Sequence, residues 1–447
     1  MKHLIACAVF VSIALPAFAA TDNDRADCQG NGPPDQKIVA CTRVIEDSSE
    51  SAANRARAYN SRGVVYRGKN DLDRALADYG EAIKLDPQYA RPYYNRGLVY
   101  AARRDYDAAI SEYDHAINVD AKYAAAYNSR GLAYANKKDY DRAIADYTQA
   151  IGIDPKFAIG YSNRGLAYYN KNDYDRALAD YDQAITLNPK NALVLARRGQ
   201  VWTGKGDYEH AIADLNESIT LDPKSAWAHG QRGLAYFRQK LFMKKGDYGP
   251  AIADYTAAIE LDPKYTWAYS SRGFAYNNKG DPERALLDCA EAIKLDAKFG
   301  DGYNCRGSAN YKKKNYTAAI ADYSEAIRID PRDGAAHWNR GNAYRENGNY
   351  DRAIDDYGEA IKINPKDFAA FNSRGRAYAL KGDGNRAIAD YSESIKLNPL
   401  YVEAYDNRGL AYKAAGRKAD AIADFRKAQS LDPSDQTSKE QLKQLGV

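Results

Sequence analysis

The sequence predicts an all-α protein, a solenoid built from repeated pairs of antiparallel helices. Glycine recurs every 34 residues from Gly63 to Gly409, apart from one interval of 40 residues that ends at Gly273, and each of these eleven glycines follows an arginine. The chain has 447 residues, more than one compact core usually holds. Its 38 tyrosines suggest that one structural position is filled again and again. A fixed period of this length is typical of stacked repeats.

The N-terminal segment has the features of a secretory signal peptide. An apolar run from Leu4 to Leu15 precedes the small-x-small sequence Ala17-Phe18-Ala19. We therefore predict that residues 1–19 are a signal peptide, cleaved after Ala19. A transmembrane anchor would need about 20 apolar residues, and Asp22 follows too soon. The expected location is periplasmic or secreted, with no membrane insertion after cleavage.

Residues 20–55 are predicted to form an N-terminal cap. Ile38 to Ile45 resembles the second helix of a repeat, while no first helix is expected before it and Gly30 to Pro34 is predicted to be a loop. Export permits disulfides. We expect Cys28 and Cys41 to form one that holds the cap to its neighbour.

The second cysteine pair is expected to stay unpaired. Cys289 occupies a core position, whereas the position of Cys305 is expected to point outward.

Each repeat is numbered so that the recurring glycine is position 8, which makes repeat one residues 56–89. Rings at positions 4 and 11 share one helix face with the glycine. Alanine at position 20, a ring at 24 and a small residue at 27 share a face of a second helix. Proline at position 32 ends that helix, as Pro87 does. A glycine inside a helix costs about 0.5–1 kcal/mol relative to alanine, so we expect the two helices to touch at position 8.

The pattern aromatic-x-x-x-Gly-x-x-Tyr, followed by Ala, Tyr, Ala and Pro, resembles the tetratricopeptide repeat. The resemblance covers residues 56–435 as eleven repeats, in an exported bacterial type with Asn-Arg-Gly variants. It departs from the family at position 7, where arginine replaces the usual leucine. The resemblance implies a right-handed superhelical solenoid whose first helices line a concave face that binds a peptide or protein. Residues 436–447 are predicted to form a C-terminal capping helix.

Repeat six carries six extra residues near 240–245. They are predicted to lengthen the first helix or the loop after it. Alternatively they form a contact surface, because Leu241, Phe242 and Met243 are apolar where the chain should be solvated.

Composition and motifs argue against several functions. The net charge of +4 gives no reason to expect a nucleic-acid partner. The sequence contains no phosphate-binding loop, nucleophile elbow or zinc-binding HExxH motif, so we predict no enzyme activity, cofactor or metal. Paired aspartates such as Asp139 and Asp141 fit helix capping better than calcium binding.

A row of amides lies on the predicted groove face at positions 5 and 6. Such a row can hydrogen-bond an extended peptide backbone, although a solvated polar face is the alternative. Repeats nine and ten come nearest to the carboxylate clamp of the family, but the expected lysines are missing and we do not expect a clamp. The candidate peptide-binding residues are Asn60, Asn95, Asn128, Asn163, Asn304, Asn339, Asn342, Asn372, Arg376 and Asn407.

Position 7 is arginine and position 23 is acidic in all eleven repeats. A half-buried guanidinium needs a partner, so we predict a ladder of ion pairs between these positions, either within one repeat or between adjacent repeats. The alternative is that the arginines line the groove and bind an acidic ligand.

The sequence thus predicts an exported scaffold that binds peptides or partner proteins in its groove. The alternative is a recruiting or regulatory subunit of an envelope enzyme that acts on polysaccharide or cell wall. The oligomeric state stays open.

Overall fold

The computed structural model describes residues 19–447, so the predicted signal peptide lies almost entirely outside the described residues. Within residues 19–447 the chain forms 25 α-helices and no strand, which confirms the all-α prediction. No helix in this range is both long and apolar enough to cross a membrane. The chain divides into two compact halves, at Lys205 and Gly206, and each half is described separately.

The first half contains the cap and the helices of repeats one to five up to Lys205. The cap consists of α1 (Asp22–Gln29) and α2 (Pro34–Glu46). The first helices of the repeats are α3 (Ala52–Gly68), α5 (Ala90–Ala102), α7 (Ala124–Asn136), α9 (Ala158–Asn170) and α11 (Ala192–Lys205). The second helices are α4 (Leu72–Leu85), α6 (Tyr106–Val119), α8 (Tyr140–Ile153) and α10 (Tyr174–Leu187).

The second half begins with α12 (Tyr208–Leu221), the second helix of repeat five. The first helices that follow are α13 (Ala226–Met243), α15 (Thr266–Lys279), α17 (Gly300–Lys312), α19 (Gly334–Glu346), α21 (Phe368–Leu380) and α23 (Val402–Ala414). The second helices are α14 (Gly249–Leu261), α16 (Pro282–Leu295), α18 (Tyr316–Ile329), α20 (Tyr350–Ile363), α22 (Gly384–Leu397) and α24 (Lys418–Leu431). The chain closes with α25 (Gln436–Gln444), which buries Leu442 against the last repeat.

Local chemistry sets the boundaries of each helix pair, as repeat three illustrates. Helix α7 ends where Lys138 adopts a left-handed conformation with φ of 63°. Asp139 then caps α8 by accepting a hydrogen bond from the Arg142 N–H at 3.1 Å. Asp139 therefore acts as a helix cap, as expected. Pro155 follows the end of α8 and cannot continue it.

The glycine at position 8 lies beneath the ring at position 24 of the second helix. A Cβ atom added to Gly131 would lie 2.8 Å from Cε1 of Tyr147, closer than real carbon atoms approach. Tyr147 is buried. The predicted close approach is therefore confirmed, and the contact is between glycine and a large ring.

The predicted ladder between positions 7 and 23 is confirmed in the ten repeats whose two helices belong to the same half of the chain. In each of them the arginine of the first helix lies 2.6–2.8 Å from the carboxylate of the second helix in the same repeat. The pairs are Arg62–Asp78, Arg96–Glu112, Arg130–Asp146, Arg164–Asp180, Arg232–Asp254, Arg272–Asp288, Arg306–Asp322, Arg340–Asp356, Arg374–Asp390 and Arg408–Asp424. These arginines are therefore neutralised inside the protein, which argues against their binding an acidic ligand.

The same arginines also connect neighbouring repeats. The third nitrogen of Arg164, Nη1, donates to the Thr148 hydroxyl of the preceding repeat at 3.0 Å. Arg272 and Arg340 make the equivalent bonds to Thr256 and Ser324. One guanidinium therefore joins three helices.

Within each half, successive first helices contact one another, for example α5 with α7 and α19 with α21. A second helix packs against the first helix of its own repeat and against that of the next repeat, as α8 does against α7 and α9. The first helices therefore lie on the inner side of the stack. Repeat positions 5 and 6 of neighbouring repeats meet on this side.

The N-terminal cap differs from the sequence prediction. A first helix, α1, does precede α2. It has only eight residues and lacks the aromatic and glycine pattern of the repeats, so periodicity could not reveal it. Thr21 and the side chain of Asp24 form a capping box at its start. Cys28 in α1 is bridged to Cys41 in α2, as expected.

The prediction that Cys289 and Cys305 stay unpaired is wrong, because the structure bridges them. Position 6 faces the preceding repeat rather than solvent, and Cys305 is fully buried. The missing side chain of Gly273 provides the space for the two sulfur atoms. A Cβ added there would lie 2.5 Å from Sγ of Cys305 and 2.9 Å from Sγ of Cys289.

The six extra residues of repeat six lengthen its first helix. Helix α13 has 18 residues, whereas a first helix such as α17 has 13. Its last residues include Phe242 and Met243, which are exposed apolar side chains.

Candidate functional site

The groove-face amides are used mainly to join neighbouring repeats. Asn95 donates to Asn60 at 2.8 Å, Asn163 to Asn128 at 3.0 Å and Asn407 to Asn372 at 3.0 Å. In every case position 6 of one repeat donates to position 5 of the repeat before it. Part of the hydrogen-bonding capacity of these amides is therefore already used by contacts within the protein.

Repeats eight and nine lack this amide pair. Asn304 instead donates to the Asp333 carboxylate at 2.7 Å, and its buried Oδ1 atom has no hydrogen-bond partner within residues 19–447. Asn342 is buried and accepts a hydrogen bond from the Tyr357 hydroxyl at 2.8 Å.

A pocket of about 510 Å³ opens at this point in the second half. It lies on the inner side, between first helices α17, α19, α21 and the start of α23. Four candidate residues predicted from the sequence meet here: Asn339, Asn342, Asn372 and Arg376. The other lining residues are Ser308, Tyr311, Tyr323, Trp338, Arg345, Ala369, Ser373, Tyr401 and Glu403. Asn60, Asn95, Asn128, Asn163, Asn304 and Asn407 do not line it.

Two arginines give the pocket positive charge, in different environments. Arg345 is nearly buried and is paired with Glu346 at 2.8 Å. Arg376 is exposed and makes no ion pair or side-chain hydrogen bond with any residue in the described range 19–447. Arg376 is therefore the lining cation whose charge is free for a ligand.

Glu403 supplies the opposite charge. It accepts hydrogen bonds from the Tyr401 hydroxyl at 2.8 Å and from the Asn372 amide at 3.4 Å. Burial, followed by the nearby Glu403 charge, raises the pKa of Tyr401 above its ordinary value. Tyr401 therefore keeps its proton at neutral pH, and Glu403 stays hydrogen-bonded.

Aromatic rings form the apolar part of the pocket. The Trp338 indole N–H donates to the Ser373 hydroxyl at 3.1 Å, which fixes the ring between α19 and α21. Burial raises the pKa of Tyr311. The pocket thus combines held rings, amides and a free guanidinium, which are the groups that bind an extended peptide.

The sequence prediction missed Trp338, Arg345, Tyr401 and Glu403. Trp338 and Arg345 lie at positions 5 and 12, which flank the expected groove face, and Trp338 is the only tryptophan at position 5. That exception within the repeat could have marked the site. Tyr401 and Glu403 lie at the junction between repeats, where the pattern gives no such indication.

Comparison with known proteins agrees with this architecture. Family models described as TPR repeat match residues 63–103, 203–240, 240–280, 307–348, 341–382 and 375–416. Models described as tetratricopeptide repeat match residues 90–123, 124–157, 158–191 and 402–435. Comparison with curated protein sequences gave no match.

Several solved structures resemble the chain. The crystal structure of the APC/C hetero-tetramer Cut9–Hcn1 matches with a TM-score of 0.50 and 14% identity, covering 92% of this chain and 93% of that one. Yeast Tom70 matches with a TM-score of 0.47 and 15% identity over 86% and 93% of the two chains. A tetratricopeptide repeat protein from Parabacteroides merdae has 23% identity and a TM-score of 0.44, covering 57% of this chain and 99% of that one.

At these identities the solved structures show the fold alone. The family models, by contrast, match repeat after repeat from residue 63 to residue 435. A scaffold for protein or peptide interaction is consistent with them. The chain belongs to the tetratricopeptide repeat family.

Proposed function

We propose that this protein is an exported scaffold that binds an extended segment of a partner protein in the pocket of its second half. The observation that carries the proposal is Arg376, which has no partner of its own yet lies beside amides and held rings. A guanidinium in this position suits an acidic side chain or terminal carboxylate on the partner.

The other lining groups have complementary roles in this proposal. Asn339 and Asn342 offer amide N–H donors to peptide carbonyls. Trp338 and Tyr311 pack against apolar side chains, and Glu403 pairs with a basic one. The partner segment therefore carries an acidic residue opposite Arg376 and a basic or polar residue opposite Glu403.

The cysteines support export. Both pairs within residues 19–447 are bridged, and structural disulfides persist mainly outside the cytoplasm. Together with the predicted signal peptide they favour a periplasmic or secreted scaffold.

Affinity capture from the cell envelope, followed by mass spectrometry, identifies the partner. Its affinity is then compared between the parent protein and Arg376→Gln. We expect Arg376→Gln to weaken binding about tenfold, the effect of losing one charge-assisted contact. Lys362→Gln is the matched control, because Lys362 is an exposed cation on the second helix α20, away from the pocket.

Equal affinity of both variants would place the partner elsewhere on the protein. Recovery of one enzyme in a fixed ratio would favour the alternative role, that of a recruiting subunit in an envelope enzyme complex.

A further inference from the structure

The N-terminal cap contains a buried carboxylate that faces the backbone nitrogen of Ala20. This N–H donates to Asp47 Oδ2 at 2.7 Å, and the two residues are only 6% and 4% exposed. The other oxygen of Asp47 accepts from the backbone N–H and the hydroxyl of Ser49, at 2.8 and 2.6 Å. Hydrogen bonds from Ser49 and then from Ala20 lower the pKa of Asp47, so the carboxylate is charged.

The charges around this carboxylate do not balance. The cap buries three acidic residues, Asp24, Asp47 and Glu50. Arg43 pairs with Asp24, and Arg25 pairs with Glu50. Arg25 also lowers the pKa of Asp47 from a distance, but no described cationic side chain bonds to Asp47. The cap therefore has one more buried carboxylate than it has paired cations.

The surroundings of Ala20 fit a chain terminus. Its methyl group packs in the apolar cluster with Cys28, Cys41 and Val44. Ala19, one residue earlier, is exposed. The boundary between exposed and buried chain thus coincides with the bond that the sequence predicts to be cleaved.

We propose that cleavage after Ala19 creates the missing cation, and that the new α-ammonium group of Ala20 forms a buried ion pair with Asp47. Hydrolysis consumes one water molecule, leaves a carboxylate on Ala19 and frees an amine on Ala20. This amine takes up a proton at neutral pH, because an α-amino group has a pKa of about 8. Asp47 is therefore the docking site for the mature N-terminus, an inference that rests on the predicted cleavage position.

The test compares four proteins, each expressed from the whole gene with its leader. They are the parent, Asp47→Asn, an insertion of Gly-Ser between Ala19 and Ala20, and the combination of both changes. The insertion keeps Ala20 and its N–H in place but moves the ammonium group away from Asp47. Intact mass of the recovered parent should show a chain that starts at Ala20.

Hydrogen exchange of the α1 and α2 amides measures the opening of the cap. We expect the insertion to raise opening about fivefold or more when Asp47 is present and to have little effect in Asp47→Asn, since coupled partners are not additive. An equal effect of the insertion in both backgrounds, or a mature chain that starts at another residue, would overturn the proposal.

A second measurement applies if the N-terminal cap does not fold in the Asp47→Asn variant. Isotope-labelled dimethylation of the parent α-amine allows its pKa to be followed by NMR. The ion pair requires a pKa clearly above the ordinary value of about 8, whereas an ordinary pKa contradicts it.

Discussion

Arg164 and Asp180 form a two-pronged ion pair across the helices of repeat four. Nε lies 2.8 Å from one carboxylate oxygen and Nη2 lies 2.7 Å from the other. Because the remaining nitrogen bonds to Thr148 of repeat three, this pair sets how one repeat sits on the next.

We predict that Arg164→Ala lowers the free energy of unfolding by about 3 kcal/mol, because it leaves the buried Asp180 carboxylate unpaired. Arg142→Ala is the matched control. Arg142 makes an exposed pair with Asp139, and such pairs contribute about 0–1 kcal/mol. Urea denaturation, with hydrogen exchange of repeats three and four, measures both. A loss in Arg164→Ala no larger than in Arg142→Ala would contradict a structural role for the ladder.

Two glycines of repeat one should respond to alanine in opposite directions. A Cβ on Gly63 would lie 2.7 Å from the Tyr79 ring, whereas a Cβ on Gly80 meets nothing within 4 Å. We expect Gly63→Ala to destabilise the protein by roughly 1–3 kcal/mol through overpacking. Gly80→Ala, in the middle of α4, should stabilise it by about 0.5–1 kcal/mol. Thermal unfolding of the two variants gives the comparison, and a Gly63→Ala variant that is more stable than the parent would show that ring contact at position 8 is unimportant.

The four described cysteines should be oxidised in protein that is purified without a reductant. Alkylation under denaturing, non-reducing conditions is expected to label none of Cys28, Cys41, Cys289 and Cys305, and peptide mapping should recover both linked pairs. Each bridge closes a short loop, of 13 or 16 residues, and should contribute about 3 kcal/mol. Alkylation of Cys289 and Cys305 alone would show that the bridge between repeats seven and eight does not form.

Asp406 should make stability depend on pH. Burial, and then the negative charges of Asp435 and Glu403, raise the pKa of Asp406 to about 7. Between about pH 4 and pH 7 the folded protein holds a proton that the unfolded chain has released. The contribution of this group to stability therefore falls as pH rises through that window.

Asp406→Asn removes this titration. At pH 8 the variant is expected to be more stable than the parent by roughly 4 kcal/mol, and near pH 4 the difference should vanish because the parent Asp406 is then protonated. Denaturation across this range checks both ends. A constant difference at all pH values would mean that Asp406 is ionised in the folded protein.

The amides of the inner face should have two different roles, in stability and in partner binding. Asn163→Ala breaks its hydrogen bond to Asn128 and should cost about 1 kcal/mol of stability. Asn339→Ala, at the same position in repeat nine, removes a pocket-lining amide and should weaken partner binding with little change in melting temperature. If Asn163→Ala leaves stability unchanged, the cross-repeat amide bonds do not contribute to stacking.

Several features of the fold follow directly from the sequence, because they depend on spacing within one repeat. The 34-residue period fixes the helix pairs, and Asp-Pro steps such as Asp154-Pro155 fix their ends. The recurrence of an arginine at position 7 and an acid at position 23 predicts the ion-pair ladder, and the structure shows that a pair such as Arg164–Asp180 lies within one repeat rather than between repeats. At the site, Asn339, Asn342, Asn372 and Arg376 were predicted and do come together.

What only the tertiary structure decided lies between repeats. Helical periodicity gives the direction of a side chain around its own helix, but not the tilt and offset of the neighbouring helix that it meets. For that reason Cys305 was expected outside and is buried against Gly273. The same offset pairs Asn163 with Asn128 and leaves Arg376 open in a pocket. The sequence by itself determined the repeat. The stacking of repeats determined which polar groups are hydrogen-bonded within the protein and which stay free to bind a partner.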